Sequence, residues 1–360
     1  MQPFTLHQLA LYFLKLGATG FGGPIALVGY MHEDLVEKKK WFSKEEYLHG
    51  LALSQILPGP LAAQLAIYFG YLKGKIWGAT CVAIAFILPS FLMVLGLSYF
   101  YVQYKGLPWI HSVFYGMSAA VIGVIIAAAY KISKTSLGRE WERWLIFLFL
   151  AASTIYFGKA YFLFFLIGGI VSVAFYAASR GPKTLSLIPL DLFLFFFKTA
   201  LIVYGGGMVV IPFIYNDVVN HFHWLNNEQF LDAVSVGMIT PGPVLITVAF
   251  IGYLANGLGG ALASAVGIFM PVYLFVIVCV PWFSKITKNI WAKKFVEGVT
   301  ASAAGAITGA VYILGKQAIV DWATALIALV TLGVLIKTKI PAPALILAGG
   351  LLGLILKITI

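Results

Sequence analysis

The chain has 360 residues, 61% of them hydrophobic and 10% charged, and carries a formal charge of +11. Charged content far below the roughly 25% of soluble domains, with a mean hydropathy of +0.96, excludes a soluble globular protein and places the chain in a lipid bilayer. The basic excess lies in short loops between apolar stretches, the pattern of membrane topology, with an attraction for anions as a further source and no basic face for nucleic acid.

The first apolar segment, Thr5 to Thr19, holds Lys15 inside it and has no basic region before it, so it reads as part of the mature fold rather than as a cleaved leader. It breaks at Gly20-Phe21-Gly22-Gly23-Pro24 and gives way to a polar loop with Lys38, Lys39, Lys40 and Lys44. Glu46 to Leu57 and Leu61 to Leu72 then flank Pro58-Gly59-Pro60. A helix of about 12 residues rises about 18 Å, against a hydrocarbon core of about 30 Å. The pair therefore reads as a re-entrant hairpin with Pro-Gly-Pro near its tip. Longer apolar runs follow at Ile76 to Phe100, Trp109 to Tyr130 and Tyr161 to Ser179. From Leu190 the order begins again: Leu190 to Tyr204, a Gly205-Gly206-Gly207 break, Gln229 to Thr240 and Val244 to Ala255 around Pro241-Gly242-Pro243. The runs Leu258 to Phe283 and Phe295 to Gly315 complete it.

A gapless offset of 183 residues pairs 15–78 with 198–261, setting Lys15 on Lys198, Gly22-Gly23 on Gly205-Gly206, Asp34 on Asp217, Trp41 on Trp224 and Gly74 on Gly257. One unit is written twice, and the expected domains are 1–183 and 184–360. Duplication with matched helix breakers in an apolar chain is the signature of a secondary transporter. The fold class is all-α, a polytopic membrane protein of two homologous repeats with broken and re-entrant helices. Loop charge sets their orientation. The first polar loop holds four lysines, whereas its mate, Asn220 to Asn227, has no Lys or Arg, so the first is cytoplasmic and the second is not. Lys131, Lys134, Arg139 and Arg143 against Lys316, and Lys285, Lys288, Lys293 and Lys294 against Lys105, agree. The halves are expected to be inverted, with five crossings and one re-entrant hairpin in each, and Arg180 and Lys183 in the cytoplasm.

Broken backbone at membrane depth is tolerated where it is buried in protein or lines a watery cavity. Helix N-termini there carry about half a positive charge and unpaired N–H groups, which suits an anion. Gly22, Gly23, Gly205, Gly206, Pro58-Gly59-Pro60 and Pro241-Gly242-Pro243 are the expected backbone site, and a purely structural kink is the alternative. Ser54, Gln55, Gln64, Thr240 and Thr247 stand at the same turns as side-chain donors. Lys15 and Lys198 would compensate the anion's charge, since a cation at the centre of a span costs about 2.5–3.5 kcal/mol; snorkelling to the headgroups is the competing role. Asp34, Asp217 and Glu297 are candidate coupling carboxylates, with capping or pairing to loop lysines as the plainer role. The six His show no metal spacing, and Cys81 and Cys279 lie unmatched in apolar spans, so neither disulfide, metal nor cofactor is expected. No nucleophile elbow, phosphate loop or catalytic carboxylate pair points to an enzyme.

The residues Phe13-Leu14-Lys15-Leu16-Gly17, Phe21-Gly22-Gly23-Pro24, Gly29-Tyr30, Trp41, Gln55, Leu57-Pro58-Gly59-Pro60 and Leu88-Pro89-Ser90 resemble the N-terminal signature of the chromate ion transporter family. His223-Trp224-Leu225, Gln229 to Val234, Gly237 to Pro243 and Phe250 to Leu254 resemble its C-terminal signature. The likeness is to the long two-domain members, with homologous halves in opposite orientations. It implies export of chromate, a tetrahedral divalent oxyanion, across the bacterial inner membrane, conferring chromate resistance. The second half reads Tyr204-Gly205-Gly206-Gly207 where the first has Phe-Gly-Gly-Pro, so a role for the proline carries to Pro24 alone. Transport of sulfate or another oxyanion is the alternative, and a lipid flippase or membrane scaffold is the alternative from another class. The expected partners are a chromate or sulfate-like oxyanion and the lipid bilayer. Small-residue runs such as Ala301 to Gly305 would also suit a homodimer.

Overall fold

The structure, a computed structural model, describes residues 2–21, 23–105, 107–136, 141–157, 188–202, 210–282, 290–338 and 340–358. Among these residues every regular element is helical, one of the two ways a chain in lipid satisfies its own backbone groups. Arg180 and Lys183 lie outside the described residues.

The first half opens with α1 (Leu6–Thr19), α2 (Gly23–Met31) and a π-helical turn (His32–Lys38). A Thr5/Gln8 capping box starts α1. The far end of the unit returns to that start: Gln2 N donates to Lys40 O at 2.9 Å, and Phe4 stacks on Trp41 with centroids 4.8 Å apart. Midway, Tyr12 Oη donates to Tyr30 O at 3.3 Å. The first apolar segment is therefore a hairpin rather than the crossing expected from hydropathy. Its 14-residue helix rises only about 21 Å.

A second hairpin follows. A Ser43/Glu46 capping box starts α3 (Lys44–Ile56), Pro58-Gly59-Pro60 stops it by withholding two N–H groups, and α4 (Leu61–Tyr104) leads back. Gly50 faces Tyr68 and Leu65, which makes the arms antiparallel. The helix α4 then reverses at Gly74 (φ −144°, ψ 27°) and Lys75 (φ 50°, ψ −136°), where Gly70 packs against Gly78 O. In a straight helix that separation would be about 12 Å. Leu61–Lys73 is thus the return arm, and Ile76–Tyr104 is the crossing piece. Leu6 lies beside Gly74 and Lys73 Nζ sits 4.0 Å from the Phe4 ring centroid, so both hairpins stand on one face, with Lys38, Lys39 and Lys40. Helices α5 (Pro108–Ser136) and α6 (Trp141–Phe157) complete the described first half.

The second half repeats the plan with α7 (Ile188–Ile202), α8 (Val210–Tyr215), a π-helical turn (Asn216–His221), α9 (Asn227–Ile239), a 3₁₀ turn (Val244–Ile246) and α10 (Thr247–Cys279). After these come α11 (Ile290–Ala318), α12 (Trp322–Lys337) and α13 (Ala342–Ile358). Each π turn is followed by a left-handed residue, Lys40 (φ 51°) and His223 (φ 54°). Each is tied by the same bond, Trp41 N to Leu35 O and Trp224 N to Val218 O, both 2.9 Å. Beyond the second Pro-Gly-Pro the frame slips by one residue. The second reversal falls at Asn256 (φ −155°, ψ 40°) and Gly257 (φ 56°, ψ −148°), and Gly252 packs on Gly260. Gly257 is therefore the equivalent of Lys75, not of Gly74 as the gapless pairing expected. The 3₁₀ turn accounts for the missing residue: three residues of 3₁₀ helix rise about 6 Å, the same as four of α-helix.

The crossing pieces of α4 and α10 meet antiparallel. Thr80 Oγ1 and Tyr273 Oη lie 2.8 Å apart, and the groove between the helices, about 450 Å³, is otherwise apolar. It is lined by Ile84 and Leu88 opposite Val266 and Met270. At the far end of α4, Tyr101 bonds Asp232 near the middle of α9, and His111 at the start of α5 bonds Glu228 in the first turn of α9. The second pair of hairpins thus stands on the face opposite the first, and the halves are inverted. Each Pro-Gly-Pro turn rests on the other half's long helix, just past its proline. Gly242 lies against Ser90 after Pro89, and Gly59 lies under Val272 after Pro271.

Candidate functional site

The tip of the first hairpin and the tip of the second half's Pro-Gly-Pro hairpin meet, with Gly242 N donating to Gly20 O at 2.9 Å. A cavity of about 70 Å³ opens beside this bond. Gly20, Phe21 and Gly23 line it from the first half, and Met238, Thr240, Gly242 and Val244 line it from the second. Ala342 and Pro343 close it from α13.

Three helical starts face this space. Gly23 is the first residue of α2, Ala342 the first of α13, and Val244 the first of the 3₁₀ turn that leads into α10. The first N–H groups of a helix have no intrahelical partner, and the helix dipole adds positive potential at the same end. Pro343 sits where a missing N–H costs nothing. Among the described residues no acidic side chain lines the cavity, and apolar walls strengthen what charge there is. The arrangement suits an anion, which backbone N–H groups and helix dipoles could hold. Thr240 Oγ1 donates to Val236 O at 2.7 Å, so it must turn to donate to a ligand.

Of the residues singled out from the sequence, Gly23, Thr240 and Gly242 line this cavity, with Pro241 and Pro243 buried on either side of Gly242. Pro58-Gly59-Pro60 is buried at the opposite seat, where Gln64 Nε2 donates to Pro58 O at 2.6 Å and braces the turn. Thr247, which the gapless pairing sets on Gln64, instead donates to Val244 O at 2.8 Å, a bond within the 3₁₀ turn that follows the second Pro-Gly-Pro. Ser54 is buried and donates to Gly50 O at 2.8 Å; Gln55 is exposed. Lys15 and Lys198 are both exposed. Lys15 shares a depression of about 490 Å³ on the lysine face with Thr19, Asp34 and Lys39. Within it Asp34 accepts from Tyr12 Oη and from Lys38 Nζ, each at 3.3 Å. Lys38 also lies 2.8 Å from Glu33 and holds that carboxyl below the usual carboxylate range. Asp217 sits on the second π turn. Gly22, Gly205, Gly206 and the side chain of Glu297 lie outside the described residues.

Sequence reasoning passed over the α13 contribution, although Pro341-Ala342-Pro343 is itself a proline-marked helix start. It also passed over Asp232, a carboxylate inside the apolar run Phe230 to Met238.

The family model described as chromate transporter matches residues 7–173 and again 190–354. A chromate transport protein of Cupriavidus metallidurans is 48% identical over 374 residues, covering 98% of this chain and 93% of the relative. A probable chromate transport protein of Synechococcus elongatus is 45% identical over 376 residues, covering 98% and 96%. A chromate transport protein of Pseudomonas aeruginosa is 30% identical over 338 residues, covering 85% and 80%. No solved structure is significantly similar. A match that appears twice, once in each of two inverted halves, and relatives aligned nearly end to end place this multi-pass membrane protein in the chromate transporter family.

Proposed function

We propose that the chain is a secondary transporter that exports chromate from the cytoplasm across the bacterial inner membrane, alternating access between inverted repeats 1–183 and 184–360. The observation that carries this is the convergence of the α2, α13 and Val244 starts on one cavity with no acidic group among its described lining residues. The depression holding Lys15 and Lys39 is a collecting mouth on the face assigned to the cytoplasm, and Lys198 plays the matching part from the other half. Gln64 keeps the first Pro-Gly-Pro turn in shape, and Thr247 ties the 3₁₀ turn that follows the second. Two negative charges leaving an inside-negative cell gain about 4.6 kcal/mol per 100 mV, enough to drive efflux.

The test uses inverted vesicles and labelled chromate. Ala342→Asp, which brings a carboxylate into the cavity, abolishes uptake, whereas Ala342→Asn retains most of it; equal behaviour of the two refutes the site. Unlabelled sulfate in the same vesicles reads selectivity, since sulfate shares chromate's shape and charge. The apolar groove between α4 and α10 favours lipid movement as a second reading. That reading requires lipid scrambling that persists when oxyanions are absent.

A further inference from the structure

Asp232 is 3% exposed on α9, a place where an ionised carboxyl costs several kcal/mol unless it is paired or used. Tyr101 Oη donates to its Oδ2 at 2.6 Å. Tyr101 is in turn held between the rings of Phe114 and Phe250, each with its centroid 5.3 Å away. Among the described residues no cation pairs with Asp232. One helical turn earlier, on the same face, Glu228 is 59% exposed and lies 2.9 Å from His111 Nδ1. A single helix face therefore runs from a titratable pair in solvent to a buried carboxylate.

Of the other described charged or titratable groups on the surrounding elements, several are engaged elsewhere or lie on neighbouring turns. On α5, Tyr115 bonds Asp321 and sits under Lys357 of α13; on α11, Lys316 lies over Tyr312. Asp217 and His221 belong to the π turn before α9, and α10 has no Asp, Glu, Lys, Arg or His. At the equivalent place in the first half stands His49, exposed on α3.

We infer that Asp232 is the proton-binding group of the transport cycle, filled from solvent past Glu228 and His111 and latched by Tyr101 when empty. The inference rests on the transport reading above. A proton from water adds to the carboxylate to give the neutral acid, and Tyr101 keeps its own proton throughout. The bond from Tyr101 then loses its charge assistance, which halves its strength, roughly. That bond joins α4 of the first half to α9 of the second, the arm that carries the Pro-Gly-Pro turn seated on Ser90. Protonation therefore loosens this arm from its seat, on one side of the pseudo-two-fold only.

The experiment uses the full chain in proteoliposomes at clamped membrane potential, with labelled chromate and an imposed pH gradient. For one coupled proton the wild-type accumulation ratio changes about tenfold per pH unit. In Asp232→Asn accumulation ignores the gradient while chromate counterflow persists, and Asp232→Glu restores the response. A wild type indifferent to the gradient, or an Asp232→Asn protein that still follows it, overturns the proposal. Should Asp232→Asn fail to fold, Tyr101→Phe decides: its counterflow pH profile shifts if the latch is real, and an unmoved profile overturns it. Absence of chromate counterflow in the wild type overturns the transport reading and this inference with it; gradient-indifferent counterflow overturns the inference alone.

Discussion

Replacing Gly242 and Gly59 by alanine probes two copies of one turn in two different seats. Both glycines have positive φ, +95° at Gly242 and +125° at Gly59, and an L-residue there costs about 1–2 kcal/mol. The seats differ. At Gly242 an added methyl overlaps Ser90 Oγ and comes within 3.1 Å of the Gly17 carbonyl oxygen, a backbone atom that cannot swing aside. At Gly59 it meets Val272 Cγ2 at 2.9 Å and Gln64 Nε2 at 3.0 Å, both side-chain atoms and neither overlapping as deeply as Ser90 Oγ. Overpacking costs about 1–3 kcal/mol, so Gly242→Ala should lose roughly 2–5 kcal/mol and Gly59→Ala should fall at the lower end of that range. A loss of 2 kcal/mol is already about a 30-fold change in the folded-to-unfolded ratio. Thermal melting of purified protein should rank wild type above Gly59→Ala and Gly59→Ala above Gly242→Ala. Adding Ser90→Gly to Gly242→Ala should recover the part of the packing loss that comes from Ser90 and leave the Gly17 contact and the backbone strain. If Gly242→Ala melts with the wild type, or Ser90→Gly recovers nothing, the seat described for this turn is wrong.

Two other outcomes follow from local geometry. Lys75 occupies the mirror-image conformation that its equivalent Gly257 occupies without strain, so Lys75→Gly should be more stable than Lys75→Ala by about 1 kcal/mol, read as a difference in melting free energy. Asp321 caps α12, and bonds from Thr324 N–H and the Tyr115 hydroxyl hold its carboxyl below the usual range. A lowered folded-state value gives stability that is present above the unfolded value of about 3.9 and lost as pH falls through the folded one. Asp321→Ala should therefore cost about 1 kcal/mol near neutrality, and the gap from wild type should close in acid melts below that point. A gap that stays constant into acid would remove the charged cap from the explanation.

The duplication, the breakers and the inversion were legible because each leaves a mark in residue type: proline and glycine at matched positions, and lysines on one copy of a loop and not the other. Three features left none. The Thr5 to Lys40 hairpin resembles one interrupted crossing, since hydropathy does not record which way the chain turns at Gly20 to Gly23. The one-residue slip comes from a 3₁₀ turn over Val244 to Ile246, which composition does not betray. Asp232 was hidden by the symmetry that found everything else, because its mate at His49 is not acidic. The α13 start lay in plain view at Pro341-Ala342-Pro343, but it falls beyond the paired frame and so drew no comparison.

The reciprocal seating of the two turns bears on how the protein is assembled. Gly59 rests under a residue of α10 and Gly242 against a residue of α4, so neither half contains the surface that supports its own turn. Each half made alone is a molecule missing its mould. Severed between α6 and α7 and supplied as two polypeptides, the halves should regain activity only when both are present, since each completes the other as the partners of an obligate antiparallel pair do.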